Sequence, residues 1–398
     1  MTSVDLPLGD PDFNADPYPL WSELREQGPV VFWEGAGAWL VLDHAHVLEV
    51  LRDDDHYSPS REYWEHYRPP DRQSLRAYDK AFETGLFHVT HDDHVRLRRL
   101  VMKAFTPKGV EAQQPFIEAE VDRLLAGRQP GDAFDVVEDF AELLPPRVIA
   151  YLLGVSEDET ARFKTIADNM IRGVDPVMLA THADEIDEAV VELIELVDRT
   201  LASLDPDADV LLARLRSVEE EGERLSHDEL FSLVATLLVA GSDTTVHGIA
   251  LGALSLLRNP TQRDLVLGDP ERFQSAVTEL LRYSYIGHGL VRYARSDTTL
   301  AGHEISKGAM LIVNVGAAHR DPFVFEAPDT LDLGRDLASA FVFGAGAHYC
   351  IGAALARLEI MGALQTLFCR FPRMELAGEP VWGDHLVLRG MKRLPVRL

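Results

Sequence analysis

The chain has 398 residues, 46% hydrophobic and 26% charged, with a formal net charge of −27. That is enough apolar material for a sizeable core, and the acidic excess argues against a nucleic-acid partner. Two cysteines exclude a disulfide framework and suit a reducing cytoplasm.

The first 30 residues are largely polar and hold five prolines, with no basic segment leading into an apolar run, so no secretory signal is expected. Tyr18 to Arg25 predicts a short helix. Pro29–Trp33 and Ala38–Leu42, turning around Gly35 and Gly37, predict a hairpin, and His44 to Leu51 predicts another helix. Residues 57–87 have weak periodicity and many rings, among them Tyr57, Tyr63, Trp64, Tyr78 and Phe87, interrupted by Pro69-Pro70. A long irregular stretch of this kind is either a functional loop or an ordinary solvated one.

His94 and Arg98 stand i, i+4 on one helix face and could meet a pair of carboxylates; a basic solvated helix is the alternative. From His94 to Val110 there are five basic residues and no acidic one, which in so acidic a chain predicts a docking patch for an acidic partner. Pro115 to Leu204 reads mainly as amphipathic helix, with Ile186, Val190, Leu193, Ile194 and Val197 forming one apolar stripe. Ser226 and Glu229 form a capping box that opens a run reaching Asn259-Pro260, ~50 Å of helix at 1.5 Å per residue. Its middle reads Ala240-Gly241-Ser242-Asp243-Thr244-Thr245. Polar groups inside an apolar helix need a reason. Asp243 can relay protons, Thr244 can bond back to a carbonyl, and Gly241 removes a side chain where something comes close. Asp243 and His247 also make a buried core helix a better reading than a membrane span.

Glu279 and Arg282 stand i, i+3 on a later helix, residues 286–292 read as extended, and 300–315 reads as strands turning at Gly302 and Gly308. Then comes Phe343-Gly344-Ala345-Gly346-Ala347-His348-Tyr349-Cys350-Ile351-Gly352, a glycine-rich loop leading into a helix. A thiolate placed there is expected to be stabilised by the helix dipole and by backbone N–H groups, as an axial haem ligand would be. Cys369 reads as plain core. Residues 381–390 predict a final hairpin whose tip could touch a ligand.

This string, followed by Leu355-Ala356-Arg357, resembles the haem-binding loop of the cytochrome P450 family, and the other motifs stand in the family's order. The resemblance implies a mainly α fold with a smaller β region, a single large domain over 1–398 whose strands come from about 28–43, 290–315 and 381–397. It implies haem b (iron protoporphyrin IX) with Cys350 as the metal ligand. His94, Arg98, Arg292 and His348 would take the propionates, with Ala240, Gly241, Phe343 and Gly344 also against the cofactor. Asp243 and Thr244 resemble the oxygen-activating pair and would be catalytic. Glu279, Arg282 and Arg335 resemble the family's buried structural cluster. Trp64, Leu86, Phe87, Val239, Ile286, His288, Leu290 and Leu386 would line the substrate pocket, with His288 either touching substrate or facing solvent. Residues 168–184 would roof that pocket.

The activity implied is that of a soluble bacterial monooxygenase inserting one oxygen atom from dioxygen into an apolar small molecule. Electrons would come ultimately from NAD(P)H through a reductase and a ferredoxin or flavodoxin-type carrier. A cytoplasmic monomer without a membrane or nucleic-acid partner is expected. Residues 60–64 and 85–87 are similar to bacterial members acting on polyketide macrolides; terpenoids, steroids and fatty acids stay open. A peroxide-dependent haem-thiolate enzyme, a non-enzymatic haem sensor and a haem-free protein in which Cys350 is core are the alternatives, and the first two have less use for the Asp243–Thr244 pair.

Overall fold

The capping box forms as the sequence predicts. Ser226 Oγ accepts from Glu229 N–H at 3.2 Å, and the Glu229 carboxylate accepts from Ser226 N–H at 2.8 Å. From it runs one uninterrupted helix, His227–Arg258, in the computed structural model, which describes residues 6–68, 75–86, 89, 91–205, 208–220 and 222–398. By length and apolar composition this helix could cross a membrane, yet 72% of its most apolar window is buried inside the fold. It is the axis of the main core. Helices Leu144–Leu153, Ala353–Arg370, Ala77–Glu83 and Pro270–Tyr283 pack along it. Gly241, Gly248 and Gly252 let Ile149, Ile360 and Leu364 approach its backbone.

The β region is a five-stranded sheet ordered Val30–Trp33, Ala38–Val41, Met310–Val313, Leu290–Ala294, Tyr57–Ser58. The predicted hairpin sits at one edge in antiparallel register, Val31 opposite Leu40. Ala38–Val41 then runs parallel to Met310–Val313, and Leu311 faces Arg292 across the next antiparallel pair. A second sheet joins Glu375–Leu376, Pro395–Arg397 and Ala133–Asp135, and Val381–Trp382 pairs with Met391–Arg393. The whole is a single-domain, mainly helical fold with a smaller β part.

One expectation is refined and two change. The stretch after Pro115, read as mainly amphipathic helix, also holds the strand Ala133–Asp135 and a π-helical turn, Val137–Ala141. Its apolar residues serve a sheet edge there, and periodicity does not reveal a pairing partner near the other end of the chain. Cys369 is exposed, not core, because it falls in the last turn of Ala353–Arg370. The region read as one irregular loop holds a strand (Tyr57–Ser58), a 3-10 turn (Arg61–Tyr63) and a helix (Ala77–Glu83).

Glu279 and Arg282 have no exposed surface. Arg282 donates to both carboxylate oxygens, at 2.6 and 2.8 Å, and to the carbonyls of His319 and Pro328. Arg335 Nε and Asp332 N–H also donate to Glu279 Oε1. A buried ion pair left with one member keeps an uncompensated charge, so Glu279→Ala or Arg282→Met should cost about 3–5 kcal/mol. Urea unfolding checks this, with Arg370→Ala, which breaks an exposed pair to Asp122, as a control expected to lose under about 1 kcal/mol.

Candidate active site

Cys350 lies in the turn between the 3-10 helix Gly346–His348 and the helix Ala353–Arg370. Its N–H donates to Phe343 O at 3.0 Å, which closes the loop on itself. Gly344 has φ +78°, a conformation that favours glycine. Gly346 has φ +71° and also lies so close to Leu51 O that a Cβ would overlap it. Arg357 stacks on the Phe343 ring, 4.4 Å from its centroid. Cys350 keeps accessible surface, yet its surroundings are dry enough that burial pushes the thiol up. A backbone N–H at Gly352 and the charges of Arg98 and Arg357 pull the other way without overcoming it. The N–H and the charges favour the thiolate as expected, against the desolvation of the loop, and a bound metal would complete the deprotonation of the sulfur.

Beside it, four nitrogen-bearing side chains converge. The rings of His94 and His348 lie 4.0 Å apart. Arg98 donates to Tyr349 O at 2.5 Å. Arg292, only 6% exposed, donates to the carbonyl of Val291. None of the four makes an ion pair with a carboxylate among the described residues, and His94 Nδ1 is buried with no partner. Burial, reinforced by the neighbouring cations, pushes His94 down to about 4 and His348 to about 3. Burial brings Arg292 to about 10, with Asp54 acting in the opposite sense. So much unanswered positive potential in a desolvated corner fits a ligand carrying two carboxylates, next to a cysteine that can hold a metal. The chemistry of this donor set fits haem.

The long helix presents the third part. Thr244 Oγ1 donates back to Ala240 O at 2.6 Å, so the hydroxyl bonds as read, but the helix runs on through it. Ala240 keeps accessible surface within a segment otherwise closed off, and Gly241, Asp243 and Thr244 are half-buried. Gly241 faces Ile149 of the neighbouring helix: that side chain takes the room a Cβ would need.

The pocket candidates separate. Leu86 and Val239 are buried in the main core, with Ile286 packed against it, and Leu290 packs on the core of the β region. Trp64 lies 6.2 Å from the Tyr293 ring and 5.4 Å from His66. Phe87 lies outside the described residues. His288 is neither on the solvent side nor free to meet a ligand at Nε2, since that nitrogen sits 2.6 Å from Asn14 Oδ1 and the ring stacks on Phe13. Asn14 in turn donates to Gly383 O, and buried Arg389 donates to the carbonyls of Asn14 and Ala15. Leu386 is placed by a residue that sequence reading missed. Asp175, 2% exposed, caps the helix Pro176–Thr181 by accepting from Val177 and Met178, while its other oxygen accepts from Leu386 N–H at 2.8 Å. The roof segment and the C-terminal hairpin are thus tied together. Only the D-P start of a short helix hinted at the cap, and nothing local hinted at Leu386.

The basic patch is also redrawn. Arg96 pairs with Glu229 and Arg99 lies 3.9 Å from Glu223, so two of the five charges serve to fasten the helix His91–Ala104 near the start of the long helix.

The pH dependence follows from the imidazoles. Unfolded, His94, His348 and His288 titrate near 6.5; folded, they do so at about 4, 3 and 4. The unfolded chain therefore binds more protons between pH 6.5 and about 3. The haem-free protein should lose stability as pH falls through that window, as urea midpoints at pH 7 and pH 5 would show. A His94→Asn/His348→Asn variant should have a shallower slope.

Compared with known families, the chain matches the one described as Cytochrome P450 over residues 31–266 and 273–380. It is 34% identical to the epothilone C/D epoxidase of Sorangium cellulosum over 98% of this chain and 94% of that one. It is 35% identical to the 6-deoxyerythronolide B hydroxylase of Saccharopolyspora erythraea over 100% of both. Among solved structures, epothilone D-bound cytochrome P450epoK superposes with a TM-score of 0.89 at 34% identity, covering 100% of this chain and 99% of that one.

Proposed function

The chain belongs to the cytochrome P450 family and is a monooxygenase with a haem-thiolate cofactor, and from that premise we propose that it hydroxylates or epoxidises a polyketide-type macrocycle. When bound, haem supplies the one-electron and dioxygen chemistry; the protein supplies ligand, orientation and electrostatics. Cys350 Sγ would be the metal ligand. Arg98, Arg292, His94 and His348 would take the propionates in charge-assisted bonds. Ala240 and the backbone at Gly241 and Gly344 would lie against the cofactor, and Phe343 with Arg357 would shield the sulfur.

The observation that carries the reading is the accessible surface at Ala240, Gly241, Asp243 and Thr244 on a helix that is otherwise mostly buried. Asp243 holds a carboxylate oxygen, Oδ2, buried without a partner, and it takes a proton there and hands it on. Thr244 Oγ1 leaves Ala240 O to pass or hold that proton. Leu86, Val239 and Ile286, which belong to the core around the long helix, would supply the apolar wall of the site, with the segment at 168–184 as roof. Glu279, Arg282 and Arg335 keep the loop in place from behind.

The substrate class rests on the relatives, whose names are those of an epothilone epoxidase, a deoxyerythronolide hydroxylase and a polyketide-biosynthesis P450 of Bacillus subtilis. Bacterial P450s use redox partners and bind organic substrates. For this chain the partner is a ferredoxin or flavodoxin-type carrier in the cytoplasm, with NAD(P)H behind its reductase. Docking draws on the basic helix His91–Ala104 and on Lys108, with Arg96 and Arg99 engaged with glutamates.

The reduced protein with CO should show the thiolate-shifted Soret band, and Cys350→Ser should lose it. A spin-state titration over macrolactones, steroids, terpenoids and fatty acids should respond most strongly to the macrolactones; a response confined to fatty acids would move the substrate class. Thr244→Ala and Asp243→Asn should keep haem and the CO band while product per NAD(P)H falls at least about tenfold, since a general acid–base group contributes roughly 10²–10⁴-fold. Full coupling in both variants would sink the proton role.

A further inference from the structure

One turn beyond Asp243 the long helix carries a second titratable side chain. His247 is i+4 from Asp243, so the two share a face, and its Nε2 lies 3.5 Å from Asp243 Oδ1, with side chains 10% and 17% exposed. Each keeps one buried atom without a partner, Oδ2 on Asp243 and Nδ1 on His247. Such orphans are uncommon in a buried segment and call for an explanation. Here they are the two far ends of one carboxylate–imidazole unit, each free to bond to a further group.

The C-terminal segment is shaped around this ring. Gly390 lies so close that a Cβ there would overlap the imidazole, although Gly390 is not one of the positive-φ glycines. Glycine is therefore required at 390 by His247 and not by backbone conformation. The charged or titratable groups that face the ring are Asp243 on its own helix and His385 and Arg389 on the C-terminal segment. Glu142, just before the helix Leu144–Leu153, faces Asp243. Burial lowers the imidazole below its ordinary value, with Asp243 pulling it back up. The ring is thus neutral at pH 7, with one nitrogen able to accept and the other to donate.

We infer that His247 is the outer member of the proton path to Asp243. Its Nδ1 takes a proton from a hydronium reaching the C-terminal segment, which is left as water, while its Nε2–H passes to the Asp243 carboxylate. The ring is left as the neutral Nδ1–H tautomer and resets when Nδ1 gives its proton to water as Nε2 gains one from water. His247 touches no reacting atom and acts through Asp243, so it is a positioning and relay residue. The inference rests on the role given to Asp243.

The test uses the haem-loaded protein. His247→Asn keeps a polar contact but cannot carry a proton, and His247→Phe keeps the volume. Both should retain haem and the CO band, couple about tenfold less well, below the usual contribution of a direct acid–base group, show a larger solvent deuterium isotope effect and lose the wild-type pH profile. Gly390→Ala, which leaves every titratable group in place, should follow His247→Phe. As a readout independent of turnover, ¹³Cε1-histidine spectra of the reduced CO-bound protein should show the His247 titration moving to lower pH in Asp243→Asn, because the carboxylate that raises it is gone. Wild-type coupling, isotope effect and pH profile in both His247 variants would overturn the inference, and so would a His247 titration indifferent to Asp243→Asn. If neither His247 variant holds haem, the titration decides alone. Asp243→Asn with intact coupling overturns the role of Asp243 itself; loss of coupling in Asp243→Asn but in no His247 variant overturns only the relay.

Discussion

A carboxylate taken wholly out of water must be answered from several sides at once, and in this protein Glu279 is answered by three groups from two segments. Arg282 comes from its own helix, and Arg335 and the Asp332 N–H come from the irregular stretch before the cysteine loop. The same arginines then spend their remaining donors on the carbonyls of His319, Glu326, Pro328 and Thr330. A region with almost no regular structure is held by two guanidinium groups in place of a ladder. Because leaving any member alone strands a charge in a dry interior, the position of the stretch 319–335 is fixed, and with it the approach to Phe343 and Cys350.

A second constraint has the opposite sign. Around Arg98 and Arg292, beside the neutral imidazoles of His94 and His348, the chain gathers positive charge and leaves it without a protein carboxylate in ion-pair range among the described residues. Desolvation makes that arrangement costly for the protein alone, which is what the depressed imidazoles report. The buried cluster behind it, by contrast, is satisfied within the protein.

What was legible in the sequence were places where residue type and surroundings clash. A cysteine among glycines, an aspartate and threonine inside an apolar helix, and a capping box ahead of a long apolar run each announce themselves within ten residues. The hairpin at Val30–Val41 was equally local. What stayed hidden depends on partners far along the chain. His288 meets Asn14, Asp175 meets Leu386 N–H and Arg96 meets Glu229, at separations of 274, 211 and 133 residues. No periodicity encodes such pairings. Gly241 shows the same limit, since the sequence marks a close approach without saying that Ile149 makes it.

The knot formed by Asn14, His288, Gly383 and Arg389 bears on how the chain is made. Its members are separated by as many as 375 residues, so during synthesis Asn14 must wait for almost the whole polypeptide before it finds its partners. The helix carrying Asp243 and the loop carrying Cys350 both emerge earlier than Gly383 and Arg389. The cysteine side of the site can therefore organise on the ribosome while the segment that packs on His247 and ties down the roof is still to come.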